Sequence, residues 1–389
     1  MSNIVNIAES RTPAGIGPGP QLIPSRTLVA KGTTHLDLTA QSLEGVRDYL
    51  AKLDALQDPR DHERSFSQLH LSYKGGRITG QFLGPNGVEG PPMLVHKNAY
   101  QQISGSLLPP RFGTGLIAQS KLGGKGEQLS TLSYALFARD SDLPRMFRVA
   151  NVKDQDGTVH PCIRAQVSQG YARYSNLQFV QDLLDHAGDL AEMPVVDFRM
   201  TDLGFRVRFC DTPLDQIELN QPVPMFEAWN SETGSRTTGL NGGAWKLWCT
   251  NGCGTWESGK KFEWRHYGDP TRIREGVESA CSEIRTQSNG VVEAYNMALD
   301  VAIDDAFAFL ERELTREKAT KEQIGKAQKA LTHETTAPGG VLASAVDAIT
   351  LMAQDYDLFD QSGLERAAGR ILNRGRAEAL RNNGRILVH

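Results

Sequence analysis

Residues 225–267 read MFEAWNSETGSRTTGLNGGAWKLWCTNGCGTWESGKKFEWRHY. All five tryptophans of the chain fall here, Trp229, Trp245, Trp248, Trp256 and Trp264, together with Cys249 and Cys253. Aromatic, polar and basic residues alternate, and Gly and Asn interrupt them. Successive side chains of a strand point to opposite faces, so this pattern predicts short strands joined by tight turns. Basic groups set among flat rings also suit a surface on which nucleic-acid bases stack. The plainer reading is a sheet core built on large hydrophobes.

The segments upstream extend the same sheet-forming pattern. Met146–Val152 (MFRVANV) and Val159–Val167 (VHPCIRAQV) flank an Asp156–Gly157 turn and predict a hairpin, with Pro161 near an edge or bulge. Leu69, Leu71 and Tyr73 lead through Gly75–Gly76 to Ile78 and Phe82, a second hairpin; Gly84–Pro92 reads as a loop. Further strands are expected at 198–200, 204–210 and 216–218. A helix is expected over about 42–56, started by Asp37 or Thr39, with short ones over 98–108 and 128–138. Ser175 or Asn176 can cap another, whose apolar face is Leu177, Val180, Leu183 and Leu184. From Thr271 onward Gly and aromatics thin out, and helical periodicity covers 271–288, 291–314, 316–331, 340–354 and 363–381. The fold class is therefore α+β: an antiparallel β-sheet core with flanking helices, followed by a mainly α-helical C-terminal region. Three regions are expected: a flexible N-terminal arm (1–34, rich in Gly and Pro), an α+β core (35–270) and a helical C-terminal region (271–389).

The chain has 389 residues and a formal net charge of −4, so it is not a globally basic protein. Nucleic acid would have to be met by a local patch. The odd set Cys162, Cys210, Cys249, Cys253 and Cys281 does not read as a disulfide framework. No charged-then-apolar leader and no apolar run of membrane length is expected to anchor it, which points to a cytoplasmic protein that uses no membrane. Cys249-x3-Cys253-x12-His266 begins like a zinc finger but lacks a fourth ligand; the two cysteines flank a Thr250–Asn251–Gly252 turn, and no metal is assigned. The glycines between Gly113 and Gly126 do not form a phosphate-loop motif, and no cofactor is assigned. No nucleophile–base–carboxylate arrangement stands out; His160 and Cys162 share a strand face, and Asp304–Asp305 sit on an expected helix. No catalytic residue is assigned.

The stronger constellation is basic and aromatic. Arg164, Tyr171, Arg173, Tyr174, Arg206 and Arg208 sit on or beside expected strands, and Lys246, Lys260, Lys261 and Arg265 lie among the tryptophans. Arg206 and Arg208 share one strand face. Cations for phosphates and rings for bases make these ten the candidate nucleic-acid contacts.

Three segments carry a resemblance: RAQVSQGYARYSNLQFVQDLL, EAWNSETGSRTTGL and WKLWCTNGCG. The arrangement of Arg164, Ser168 and Tyr171 before Asn176, the turn Asn230–Ser231–Glu232 with Gly234, and the Cys249–Asn251–Gly252 turn resemble a family of phage- and plasmid-borne proteins known only as a domain of unknown function. The resemblance covers roughly 100–200 residues of the middle of the chain, a span of about one domain. It implies a setting of mobile DNA. By analogy with single-strand annealing proteins of the Red-beta and Erf kind, it implies a non-catalytic single-stranded-DNA-binding or annealing protein in recombination or replication. The partners would be single-stranded DNA, further copies of the chain and a host or phage replication protein, in the bacterial cytoplasm. An anti-defence or host-takeover binding protein and a metal-dependent nuclease are the competing readings.

Overall fold

The computed structural model describes residues 28–30, 42–74, 77–107, 143–153, 158–201, 203–210, 212, 216–218, 221–247, 254–334, 340–356 and 358–388. The expected helix at 128–138, the glycines of 113–126, the Asp156–Gly157 turn, Trp248 and the Cys249–Cys253 turn lie outside them.

The fold is α+β, with two six-stranded sheets, flanking helices and a helical C-terminal region. The first sheet is antiparallel: β1 (Leu28–Ala30) lies beside a meander of β8 (Val195–Thr201), β9 (Gly204–Cys210), β10 (Pro222–Asn230), β11 (Thr238–Leu247) and β12 (Gly254–Trp264), in that order. The tryptophan-rich stretch supplies its last three strands. The second sheet runs β2 (Arg60–Arg64), β6 (Arg145–Lys153), β7 (Val159–Ser168), β5 (Gly87–Val95), β4 (Arg77–Gly84) and β3 (Leu69–Lys74). It is antiparallel except where β5 meets β7 in parallel at Leu94↔Cys162 and Val95↔Ile163. The segment expected as a loop at 84–92 is thus largely strand. Its Pro91 and Pro92 fall between the paired positions Glu89 and Met93, where a register shift spares the ladder the N–H groups that proline lacks. The expected strand at 216–218 is not one.

Helices cover the apolar faces. Ser42, not Asp37 or Thr39, caps α1 (Leu43–Gln57), which buries Leu43, Val46 and Leu50. α2 (Lys97–Leu107) lays Ala99, Tyr100 and Ile103 on the second sheet. Ser175 caps α3 (Asn176–His186), accepting from the Gln178 N–H at 3.0 Å. α3, α1 and α4 (Thr271–Ala298) together cover Phe198, Phe205, Val207, Phe209, Phe226 and Leu240 of the first sheet. α4 runs unbroken through Ser288–Gly290, where the sequence suggested a division. Ser288 is held there by the Met225 N–H and by the Met225 and Gly243 carbonyls. The break comes later, before α5 (Ala306–Arg316). Asp304 and Asp305 lie in it, and Asp305 caps α5. Then follow α6 (Lys321–Glu334), α7 (Leu342–Ala353) and α8 (Leu358–Arg381), around a second apolar core. A short parallel pair, β13 (Ala302–Ile303) with β14 (Arg385–Ile386), ties the chain's end to the α4–α5 break. No helix among the described residues is long and apolar enough to cross a membrane.

The other face of the first sheet is charged and buried, which corrects the reading of Arg206 and Arg208. They are 2% and 5% exposed, so neither is presented to a phosphate. Arg206 Nη2 meets Asp197 Oδ2 at 2.7 Å and its Nη1 meets Ser362 Oγ of α8 at 3.1 Å. Arg208 Nε meets Glu227 Oε2 at 2.8 Å, and its Nη2 pairs with Glu365 of α8. Arg199 reaches Gln361, and Gln361 donates to Glu365 at 2.8 Å. Burial alone would push Asp197 up, but Arg199, Arg206 and Arg208 hold its carboxyl below the ordinary carboxylate range. α8 is therefore docked on the sheet by ion pairs. Replacing Glu365 by Ala leaves Arg208 short of a counter-charge in a dry interface, and should cost about 3–5 kcal/mol in urea unfolding. A loss under about 1 kcal/mol, the scale of a surface pair, would mean that this interface is wet.

Candidate nucleic-acid interface

Three more of the ten expected contacts are structural. Lys246 is buried: its Nζ donates to Tyr295 Oη at 2.6 Å and pairs with Asp347, which also accepts from Tyr295 at 2.8 Å. Tyr174 is buried and donates to Asp182 at 2.7 Å; burial and that carboxylate raise its pKa. Tyr171 donates to the Ser231 carbonyl at 2.9 Å, and its ring stacks on His266 at 4.9 Å and carries Arg148 at 4.8 Å. It is a wedge between elements rather than a platform for a base. Lys261 is half-exposed but pairs with Glu263 at 2.6 Å, Arg265 is exposed, and the side chain of Lys260 lies outside the described residues.

Arg164, buried, and Arg173, exposed, share one site. They line a cleft of about 260 Å³ with Arg148, Asp54, Asp61 and Glu232. Each group has a distinct origin: Arg148 and Arg164 project from β6 and β7, Arg173 from the segment entering α3, Asp54 from the last turn of α1, Asp61 from β2 and Glu232 from the β10–β11 turn. Arg148 Nη1 donates to the Glu232 carbonyl at 2.5 Å, and Arg164 Nη1 donates to Gln57 at 3.2 Å. Asp61 lies between Arg148 and Arg173, 3.6 and 3.7 Å from their Nε atoms. The Glu232 carboxylate accepts from the Asn176 N–H at 2.5 Å, filling the position at the start of α3 that an anion would favour. Burial and the charge of Glu232 raise Asp54 to about 6, against the pull of Arg164 and Arg173. Near neutral pH this cleft can therefore shed a negative charge by taking up one proton.

Sequence reasoning missed Arg148, Asp54, Asp61 and Glu232. Arg148 had a signal: a lone cation inside the apolar strand MFRVANV implies a partner across the sheet junction. Asp54 and Asp61 had none, because they come from separate elements, and Glu232 stood out only as part of the Asn230–Ser231–Glu232 turn, not as a site residue. Tyr267 was also missed. It is 74% exposed, and its ring lies against Gly170. Two backbone bonds, Ala172 N–H to the His266 carbonyl (3.3 Å) and Gly268 N–H to the Gly170 carbonyl (2.9 Å), lay residues 170–172 beside 266–268. This sets the ring of Tyr267 on the same strip of chain as Arg173.

Among the described residues, no group of three or more His, Cys, Asp or Glu is placed to hold a metal ion. Comparison of the chain with protein-family models, with curated proteins and with solved structures finds no match.

His266, behind Tyr171, gives a test of this junction. Its ring nitrogens lie 2.9 Å from Thr238 Oγ1 and 3.3 Å from the Ala172 carbonyl. Burial, aided by Arg148, lowers it to about 4. The unfolded chain then binds a proton that the folded one refuses, so stability is present above about pH 6.5 and is lost as pH falls toward 4, by about 3 kcal/mol in total. Urea unfolding between pH 7 and 4.5 should show this slope in the native chain and lose most of it in His266→Gln. Equal slopes in the two would show that His266 is free to charge in the fold.

Proposed function

We propose that the protein binds single-stranded nucleic acid, holding backbone phosphate through the exposed Arg173 at the mouth of the cleft, with the buried Arg148 and Arg164 behind it, and stacking a base on Tyr267. The observation that carries this is an exposed aromatic ring laid against Gly170, three residues before the exposed Arg173, which lines a cleft walled by the buried Arg148 and Arg164. A guanidinium presents a planar fork of donors that matches phosphate oxygens, and a free ring accepts any base. The mode is sequence-tolerant, and it suits annealing of complementary strands, the activity that the resemblance to phage- and plasmid-borne proteins implies. The reading differs from the one drawn from sequence alone in which residues serve: Arg148 and Tyr267 replace Arg206, Arg208, Lys246, Tyr171 and Tyr174.

Binding of a fluorescein-labelled oligo-dT, followed by anisotropy across a salt series, tests this. Arg173→Ala should reduce the slope of log K against log[salt] by about 0.7, the share of one phosphate. Tyr267→Ala should weaken binding by about 1–3 kcal/mol with the slope unchanged. A wild-type chain that binds no oligonucleotide at low salt would reject the proposal.

The titration of Asp54 adds a pH dependence. Phosphate entering the cleft favours protonated Asp54, so affinity should rise as pH falls from 7.5 to 5.5, through its value of about 6. Asp54→Asn should bind more tightly than wild type at pH 7.5 and show a flat profile. A variant that keeps the wild-type profile would exclude Asp54 as its source.

A further inference from the structure

The basic residues near the end of the chain take no part in that reading. Arg312 and Arg316 of α5 and Arg374 and Arg381 of α8 line a cavity of about 530 Å³, with Glu378 and Leu387. A buried carboxylate organises them. Glu313, 1% exposed, accepts from Arg312 Nε at 3.1 Å, Arg316 Nη1 at 3.3 Å and Arg374 Nε at 2.9 Å. Glu378 holds Arg312 Nη2 at 2.7 Å, and Glu317 lies 2.7 Å from Arg374 Nη1 and also takes Arg370.

The cluster has more cations than counter-ions. Arg312, Arg316, Arg370, Arg374 and Arg381 stand against Glu313, Glu317 and Glu378, a formal surplus of two positive charges (five minus three). Donors are in surplus as well, since each guanidinium carries five N–H groups. Arg374 Nη2 has no hydrogen-bond partner, and Arg381, on the cavity wall, makes no ion pair among the described residues. Arg381 is also the last residue of α8, so the helix end offers carbonyls rather than N–H groups. The attraction for an anion comes from the side chains alone.

We infer that this cavity is a second anion site, which takes the phosphate group of a phosphate-bearing ligand. Arg312 is spent on Glu313 and Glu378, but Arg316, held through Nη1 alone, and Arg381 keep their other N–H groups for a multiply charged oxyanion, and the surplus charge makes its entry favourable. The site shares no residue with the Arg173 cleft, so it stands whether or not that cleft binds nucleic acid. Its phosphate can belong to a strand or to a small phosphorylated molecule.

The test uses the full chain, inorganic pyrophosphate by isothermal titration calorimetry, and the labelled oligo-dT by anisotropy. The variants are Arg316→Gln with Arg381→Gln, Arg381→Gln alone, and Arg173→Gln as control. Arg381 holds up no other described side chain, so its single variant remains informative if the double variant melts early. Pyrophosphate should bind the wild type, and the double variant should bind it at least about tenfold more weakly, the scale of one charge-assisted contact. The single variant should weaken it several-fold, and Arg173→Gln should not change it. If oligo-dT affinity falls in parallel, the phosphate is that of a strand; if only pyrophosphate binding falls, it is that of a small molecule. No heat with the wild type, equal binding by the folded double variant, or loss confined to Arg173→Gln would each overturn the inference. Absence of oligo-dT binding with pyrophosphate binding intact would instead remove the proposed function and leave this site standing.

Discussion

A buried polar turn holds this molecule together. Asn230, Ser231, Thr233 and Thr238 are almost wholly removed from water, and their hydrogen-bonding groups are engaged. Asn230 Nδ2 donates to the Tyr174 carbonyl and to Asn176 Oδ1, while its Oδ1 accepts from Thr238. Ser231 and Thr233 both donate to the Leu203 carbonyl. The Thr233 carbonyl accepts from Gln102 of α2 at 2.8 Å, and Gln102 in turn accepts from the Gln166 N–H of β7 at 2.8 Å. One turn of the first sheet is thus bonded to the helix and the central strand of the second. A buried donor or acceptor left unpaired costs about 1–3 kcal/mol, so the members of this network hold one another in place. Gly234, at φ +69°, closes the turn; a Cβ there would stand 3.1 Å from Val167 and 3.3 Å from Tyr171, in a conformation that side chains disfavour. The cleft follows from this junction, because Glu232 and the segment carrying Arg173 are brought to β6 and β7 by the same bonds.

The first sheet faces two different interiors. Towards α1, α3 and α4 it presents Phe and Val side chains in the ordinary way. Towards α8 it presents Asp197, Arg206, Arg208 and Glu227, each matched by an opposite charge at hydrogen-bonding distance or close to it. Such an interface gains less than an apolar one, because desolvation offsets most of the attraction. It does fix where α8 sits, since a slide by one turn would leave Arg208 opposite the wrong side chain. The C-terminal helices depend on this docking for their register with the sheet and on their own apolar core for their mutual packing.

Local signals carried far in the sequence. The hairpins β3–β4 and β6–β7, the extent of α1 and the Ser175 cap rest on neighbours within a few residues, and all were legible. Whether a given arginine meets water was not. In GFRVRFC the alternation places Arg206 and Arg208 opposite Phe205, Val207 and Phe209, and the pattern is the same whether the polar face meets solvent or a second layer. What decides is Glu365, 157 residues further along the chain. The reach of α4 through Ser288–Gly290 has a similar cause. Gly242 lets the helix approach so closely that a Cβ there would stand 2.6 Å from the Ile284 carbonyl, and Ser288 then bonds the sheet's backbone. Tertiary contact outweighs the weak helix propensity of Ser, Asn and Gly at that point.

A physical criterion separates the arginines of this chain better than their spacing does. Where ion pairs and burial enclose the guanidinium, as around Arg206 and Arg208, it is spent on the fold and has little left to offer a ligand. Where acceptors fix one edge and leave others, the same side chain becomes a preorganised binding group. Arg173, 59% exposed with one distant carboxylate, is of the second kind, and so is Arg316; Arg381, on the cavity wall, has no carboxylate fixing it among the described residues. The carboxylates at both clefts then do not compete with a ligand so much as aim the cations at it. Glu313 does so from beneath its three guanidiniums, and Asp61 from between two. An acidic residue beside a basic one in this sequence is therefore no sign that the basic one is neutralised. N–H groups left over after pairing, on a side chain that a ligand can reach, determine where an anion can go.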